Sequence, residues 1–143
     1  MFRSFGCALA ALVAAIAMAF SPAVAETSAK GLVCTFPSGI VKTFENGAFK
    51  TKAAEPFSFR IGDINLNAQT ASLLTPKGKG DLKIVRAIGA NHFLEVITEG
   101  FLNITTIYDP NTPGGPIAAV HSRHIGVLGT PVVSQYHGTC KPL

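Results

Sequence analysis

The chain has 143 residues, 48% hydrophobic and 14% charged, with twelve Lys and Arg against eight Asp and Glu and a formal net charge of +4. The positive excess is small and spread along the chain. Lys77 and Lys79, two residues apart, sit in a Gly-rich turn without aromatic neighbours, as at a solvated hairpin tip and unlike a nucleic-acid-binding face.

Chain order begins with a leader. Met1-Phe2-Arg3 carries one positive charge, an uncharged run rich in Ala, Leu, Val and Ile extends from Phe5 to Phe20, and Ser21-Pro22 interrupts it. Ala23-Val24-Ala25 then supplies the small residues a signal peptidase accepts, so residues 1–25 are expected to be a signal peptide of bacterial character, cut before Glu26. As a membrane anchor the run falls short of the roughly 20 residues a bilayer span needs. Cys7 lies at the start of the apolar run rather than after it, where it is badly placed for lipidation, and the expected cleavage would discard it together with Arg3. The expected mature product is one domain, residues 26–143, with no membrane span.

Beyond Glu26 the apolar residues recur with period two and are interrupted by Gly, Asn, Asp and Pro every eight to twelve residues or so, the pattern of short antiparallel strands. Strands are expected at Leu32–Phe36, Ile40–Phe44, Ala48–Lys52, Phe57–Ile61, Leu66–Leu74, Leu82–Ile88, His92–Thr98, Phe101–Tyr108, Ile117–Ser122 and Val132–Cys140. Asn46-Gly47 can supply the positive φ angles of a tight hairpin. Gly62-Asp63 and Gly89-Ala90-Asn91 read as further breaks, Glu99-Gly100 joins two β-branched runs, and Asp109 to Pro116 reads as a surface loop. In Phe57-Ser58-Phe59-Arg60-Ile61 the two rings and Ile61 share one face, which looks inward. In Phe101–Tyr108 one face is apolar and the other mixed.

Cys34 and Cys140 are the two cysteines of the mature chain, and an exported protein has one way to pair them. Such a bridge ties the first strand to the last and closes a loop of about 100 residues, which in the chain-entropy model contributes on the order of 4 to 5 kcal/mol. No C-x-x-C pair suggests a redox or metal role. Joined ends favour a closed or nearly closed sheet, so the expected fold is all-β: a small antiparallel barrel or barrel-like sandwich of about eight to ten short strands.

The densest polar cluster is His121-Ser122-Arg123-His124, followed by Gln135 and His137 near the end of the chain. If the last two strands are neighbours, these side chains can gather at one end of the barrel, and they are the candidate binding residues. His121, His124 and His137 form a conceivable metal trio, but residues an odd number apart on a strand point to opposite faces, so His121 and His124 could share an ion only across a bulge at Ser122 or Arg123. No metal is therefore assigned. Ser122 or Ser134 with a histidine and Asp63 or Asp109 would need the elbow that marks a hydrolase serine, and no G-x-S-x-G is present. Glu95 and Glu99, four residues apart on an extended chain, lie roughly 13 Å from each other, beyond the roughly 5 to 10 Å of paired glycosidase carboxylates. Asn103-Ile104-Thr105 matches a glycosylation sequon but falls within a strand, and no phosphate loop, dinucleotide fingerprint or haem motif occurs.

In size, export and terminal disulfide the chain resembles the small periplasmic inhibitors of c-type lysozyme, compact barrels that present a serine and a basic side chain to an acidic cleft. The resemblance is architectural. That family's signature motif does not align here, so it assigns no residue. Ser122 and Arg123 nonetheless have chemistry suited to docking against carboxylates. The expectation is a non-enzymatic periplasmic or secreted protein without cofactor. It would act through one end of its barrel on a protein or small-molecule ligand of the cell envelope, with Phe57, Phe59 and Phe93 available either to line a mouth cavity or to fill the core.

Overall fold

The period-two alternation becomes nine antiparallel strands among the described residues, which are 31–98, 100–126 and 129–143 of a computed structural model. The expected leader, its cut before Glu26, and Cys7 lie outside the described residues. In chain order the strands are β1 (Gly31–Glu45), β2 (Ala48–Ala53), β3 (Phe57–Asn65), β4 (Thr70–Thr75), β5 (Gly78–Ala87), β6 (Ala90–Thr98), β7 (Phe101–Tyr108), β8 (Ile117–Ile125) and β9 (Val132–Pro142). Their order in the sheet is β2-β1-β3-β4-β5-β6-β7-β8-β9, and β9 returns to pair with β1. The result is a closed eight-stranded barrel with β2 added outside the ring. Closure gives β1 and β9, which would otherwise be exposed edges, partners on both sides.

The seam between β1 and β9 is cross-linked by Cys34–Cys140, and the two cysteines face each other in the ladder. Both are buried among Leu32, Phe36, Ile61 and Ile107, residues of the apolar core. A disulfide of this kind suits a chain that works outside the reducing cytoplasm.

The expected strands at 32–36 and 40–44 are one strand. Between Thr35 and Ser38 the β1–β9 register shifts by a residue, so Phe36 and Pro37 together oppose Gly138. This bulge lets β1 continue rather than turn. It also fixes the identity of residue 138: a Cβ there would collide with the Thr35 carbonyl oxygen and stand 2.9 Å from Phe36 Cα. Backbone cannot yield as a side chain can. Gly138→Ala is expected to destabilise the barrel by about 1 to 3 kcal/mol or more, measurable as a lowered urea midpoint.

Opposite the bulge, β1 pairs first with β3 and then with β2 in one continuous register, since Phe36 faces Phe57 and Ile40 faces Ala53. Pro37 therefore faces Pro56, and neither can donate to the ladder. Pairing resumes where Ala54 N–H donates to the Gly39 carbonyl at 3.0 Å. Beyond the prolines, β1 and β2 form a hairpin flap at the rim, closed by Asn46 (φ 51°) and Gly47 (φ 78°), the two positive angles expected of that turn.

Three local expectations need correction. The run 66–74 is not all strand: Ala68 N–H donates to Asn65 Oδ1 at 2.9 Å, the chain turns, and pairing begins only at Thr70. An asparagine that bonds its own backbone competes with the ladder. Gly62-Asp63 does not end a strand; β3 runs through it with a register shift before Asn65 and a positive φ of 51° at Asp63. At the third site the turn is Ile88-Gly89, and Ala90 already pairs with Ala87.

Candidate functional site

Eight strands closing on themselves bring inward-facing residues together in rungs. One rung crosses β6 to β9 as Phe93, Thr105, His121 and Tyr136. The next, nearer the flap, crosses the same strands as Glu95, Asn103, Arg123 and Ser134. Below them lie Ile107 and Ala119, buried and apolar. The barrel thus changes character along its axis, from an apolar floor to a polar mouth.

Three aromatic rings support the upper layers. Phe36 stacks on Phe57 and Phe59 at centroid distances of 5.1 and 5.6 Å, and the His121 imidazole lies 5.2 Å from Phe57 and 5.4 Å from Phe59. Arg123 Nε–H donates to His121 Nε2 at 3.1 Å. Because a guanidinium can only donate, His121 accepts on Nε2 and carries its proton on Nδ1, which it donates to Thr105 Oγ1 at 2.9 Å. Burial, reinforced by the adjacent Arg123 charge, lowers the His121 pKa to about 4. The imidazole is neutral and both its nitrogens are occupied, so it is a poor general base.

Arg123 is held on a second side. Its guanidinium carbon stands 4.6 Å from the centre of the Phe57 ring and 5.5 Å from that of Tyr136. On the same rung Asn103 Nδ2–H donates to Glu95 Oε2 at 2.8 Å. Glu95 and Arg123 do not pair. Among the described residues the ion pair found is Lys79–Asp63, at 2.9 Å on the outer surface, where Lys79 holds the Asp63 carboxyl below its usual range. Such an exposed pair contributes little to stability. A cavity of about 210 Å³ is lined by Glu95, Asn103 and Arg123 of the polar rung and by the rings of Phe57, Phe59 and Phe93.

Strand alternation divides the residues singled out from the sequence. His121 and Arg123 face the interior, while Ser122, His124, Gln135 and His137 lie on outward positions of β8 and β9. β8 runs without a bulge from Ile117 to Ile125, so His121 and His124 stay on opposite faces. His137 pairs with Val120, four residues along β8 from His124, and no group of metal-ligating side chains occurs among the described residues. Asp63 is engaged with Lys79 and Asp109 is exposed beyond β7, so neither supplies the acid considered for a Ser–His pair.

Sequence reasoning did not select Asn103, Thr105 and Ser134 as binding residues, and it weighed Glu95 only as half of a glycosidase pair. One signal was present. The mixed face of β7, Asn103 and Thr105 with Ile107, is the face that points inward, so polar residues there foretell a polar interior. Fold and site together define a small closed β-barrel with a cross-linked seam and a polar mouth. Comparison of the chain with protein-family models, curated proteins and solved structures found no match.

Proposed function

We propose that the protein is an exported, non-enzymatic binding protein, periplasmic or secreted, that takes a small ligand into the mouth of its barrel. The observation that supports this reading is the inward rung Glu95–Asn103–Arg123–Ser134 beside a cavity of about 210 Å³. Small barrels ordinarily fill their interior positions with apolar side chains. Polar groups placed there incur desolvation unless something meets them. Four such groups in a row, over an apolar floor, suit a recognition surface better than a core. The occupied nitrogens of His121 favour binding over catalysis. The Cys34–Cys140 bridge favours a compartment outside the cytoplasm.

The test is an amide-shift map of the purified protein titrated with a low-molecular-mass fraction of cell-envelope extract. Asn103, Thr105, His121, Arg123 and Ser134 are expected to move together. Shifts confined to the outer surface of the barrel would sink the proposal.

A second reading draws on the groove between flap and rim, where Lys52 and Arg123 outnumber the one acidic lining residue, Glu55, beside Tyr136. Its basic side chains suit an acidic loop of a protein partner, as the likeness to lysozyme inhibitors implies. Register sends Ser122 outward, so Lys52 would replace it beside Arg123. Absence of inhibition of any muramidase would end that alternative.

A further inference from the structure

Resting on the mouth as a small-ligand site, we infer that its ligand is a compact zwitterion with an apolar body, of the class of leucine- or phenylalanine-sized α-amino acids. The reason is the disposition of two opposite charges. Glu95 and Arg123 stand on one rung with only β7 between them, so their backbones are separated by two strand spacings, roughly 10 Å. Side chains of this length could close such a gap, yet each is drawn elsewhere. Asn103 holds Glu95, and His121 with the Phe57 and Tyr136 rings holds Arg123.

The atoms left over are complementary to a zwitterion. Arg123 uses Nε on His121, and its terminal Nη groups have no hydrogen-bond partner among the described residues. They present the fork that a carboxylate engages in a bidentate way. Asn103 spends its amino group on Glu95, so its carbonyl Oδ1 is available as an acceptor. Together with Glu95 Oε1 it offers an ammonium group two acceptors. A ligand with a single charge would leave the opposite protein charge facing the cavity without a partner, which disfavours it.

Size and walls determine the rest. A volume of about 210 Å³ is below the roughly 300 to 1,000 Å³ of ordinary ligand pockets. Long acyl chains and polycyclic ligands are therefore too large, and the His121 rung with the buried Ile107 beneath it prevents deeper entry. Phe57, Phe59 and Phe93 line the cavity together with Leu73 and Leu82. They would enclose an aliphatic or aromatic side chain while the charged end lies along Glu95, Asn103 and Arg123.

Calorimetric titration with L-leucine and L-phenylalanine, beside 3-phenylpropionate (carboxylate only) and phenethylamine (amine only), tests this directly. An amino acid is expected to bind, and each analogue to bind at least about tenfold more weakly. Glu95→Gln should weaken phenylalanine by a similar factor and bind 3-phenylpropionate at least as well as the wild type does, a pattern that general loss of structure would not produce. If either analogue binds as well as phenylalanine, the zwitterion is wrong while the mouth remains a binding site. If no amino acid binds but envelope extract still moves the mouth amides, the ligand class is likewise wrong. If nothing moves those amides, both readings fail.

Discussion

Removing the bridge in the double variant Cys34→Ala/Cys140→Ala is expected to lower the unfolding free energy by about 3 to 5 kcal/mol. The two cysteines lie 106 residues apart in sequence, nearly the whole described domain, and the bridge joins β1 to β9 at the seam. In an unfolded chain without it, every one of those intervening residues is free to separate the ends. Cross-linking removes most of that freedom, and the long loop makes the entropic contribution large. The folded seam is better defended, because β1 and β9 pair on both sides of the bulge, from Leu32–Pro142 to Thr43–Val132. The barrel should therefore persist in the variant, with unchanged β-sheet circular dichroism and a lowered urea midpoint. A small cavity at the buried Cys34 and Cys140 positions adds to the loss. For a single domain whose total stability is ordinarily 5 to 15 kcal/mol, this is a large fraction. A loss below about 1 kcal/mol would mean that the unfolded chain keeps its ends together without the bridge, and would refute the entropic account.

Acid should destabilise the barrel as pH falls below 6.5, and His121 is the reason. Its imidazole is buried beneath the Arg123 guanidinium, among Phe36, Phe57, Phe59 and Tyr136, and its pKa falls from 6.5 to about 4. Above pH 6.5 both folded and unfolded chains hold it neutral, and its contribution to stability is fully present. As pH falls below 6.5 the unfolded chain takes up a proton that the folded one refuses, so stability declines. The loss is complete near pH 4, where the folded form also protonates, and amounts to about 3 kcal/mol in total. Protonation also places a donor on Nε2, where Arg123 already donates, and so breaks the bond that positions the guanidinium. Urea unfolding of the wild type at a series of pH values between 7 and 4 should show the decline. His121→Gln, which can accept from Arg123 and donate to Thr105 without titrating, should flatten it by most of that amount. An equal slope in both proteins would place the titrating group elsewhere.

Much of the architecture was already written in local order. Alternation of apolar and polar residues dictated strands. Asn46-Gly47 dictated a tight hairpin, because both central residues must take positive φ. Cys34 and Cys140 had only each other once the leader is set aside, and Phe57, Phe59 and Ile61 declared an inward face that the barrel keeps. These are properties of a residue and its near neighbours along the chain. Tertiary structure decided what depends on register between distant segments. His121 to His124 look like one cluster in sequence, yet alternation sends two of those side chains inward and two outward. Glu95, Asn103, Arg123 and Ser134, scattered over three turns or loops, become one rung because β6 to β9 pair in one register. A slip of a single residue in any of those pairings would turn a strand's polar members to the opposite face. That register is set by bulges, the seam and packing summed around a closed ring, which is why the polar rung of the mouth emerged only when the barrel closed.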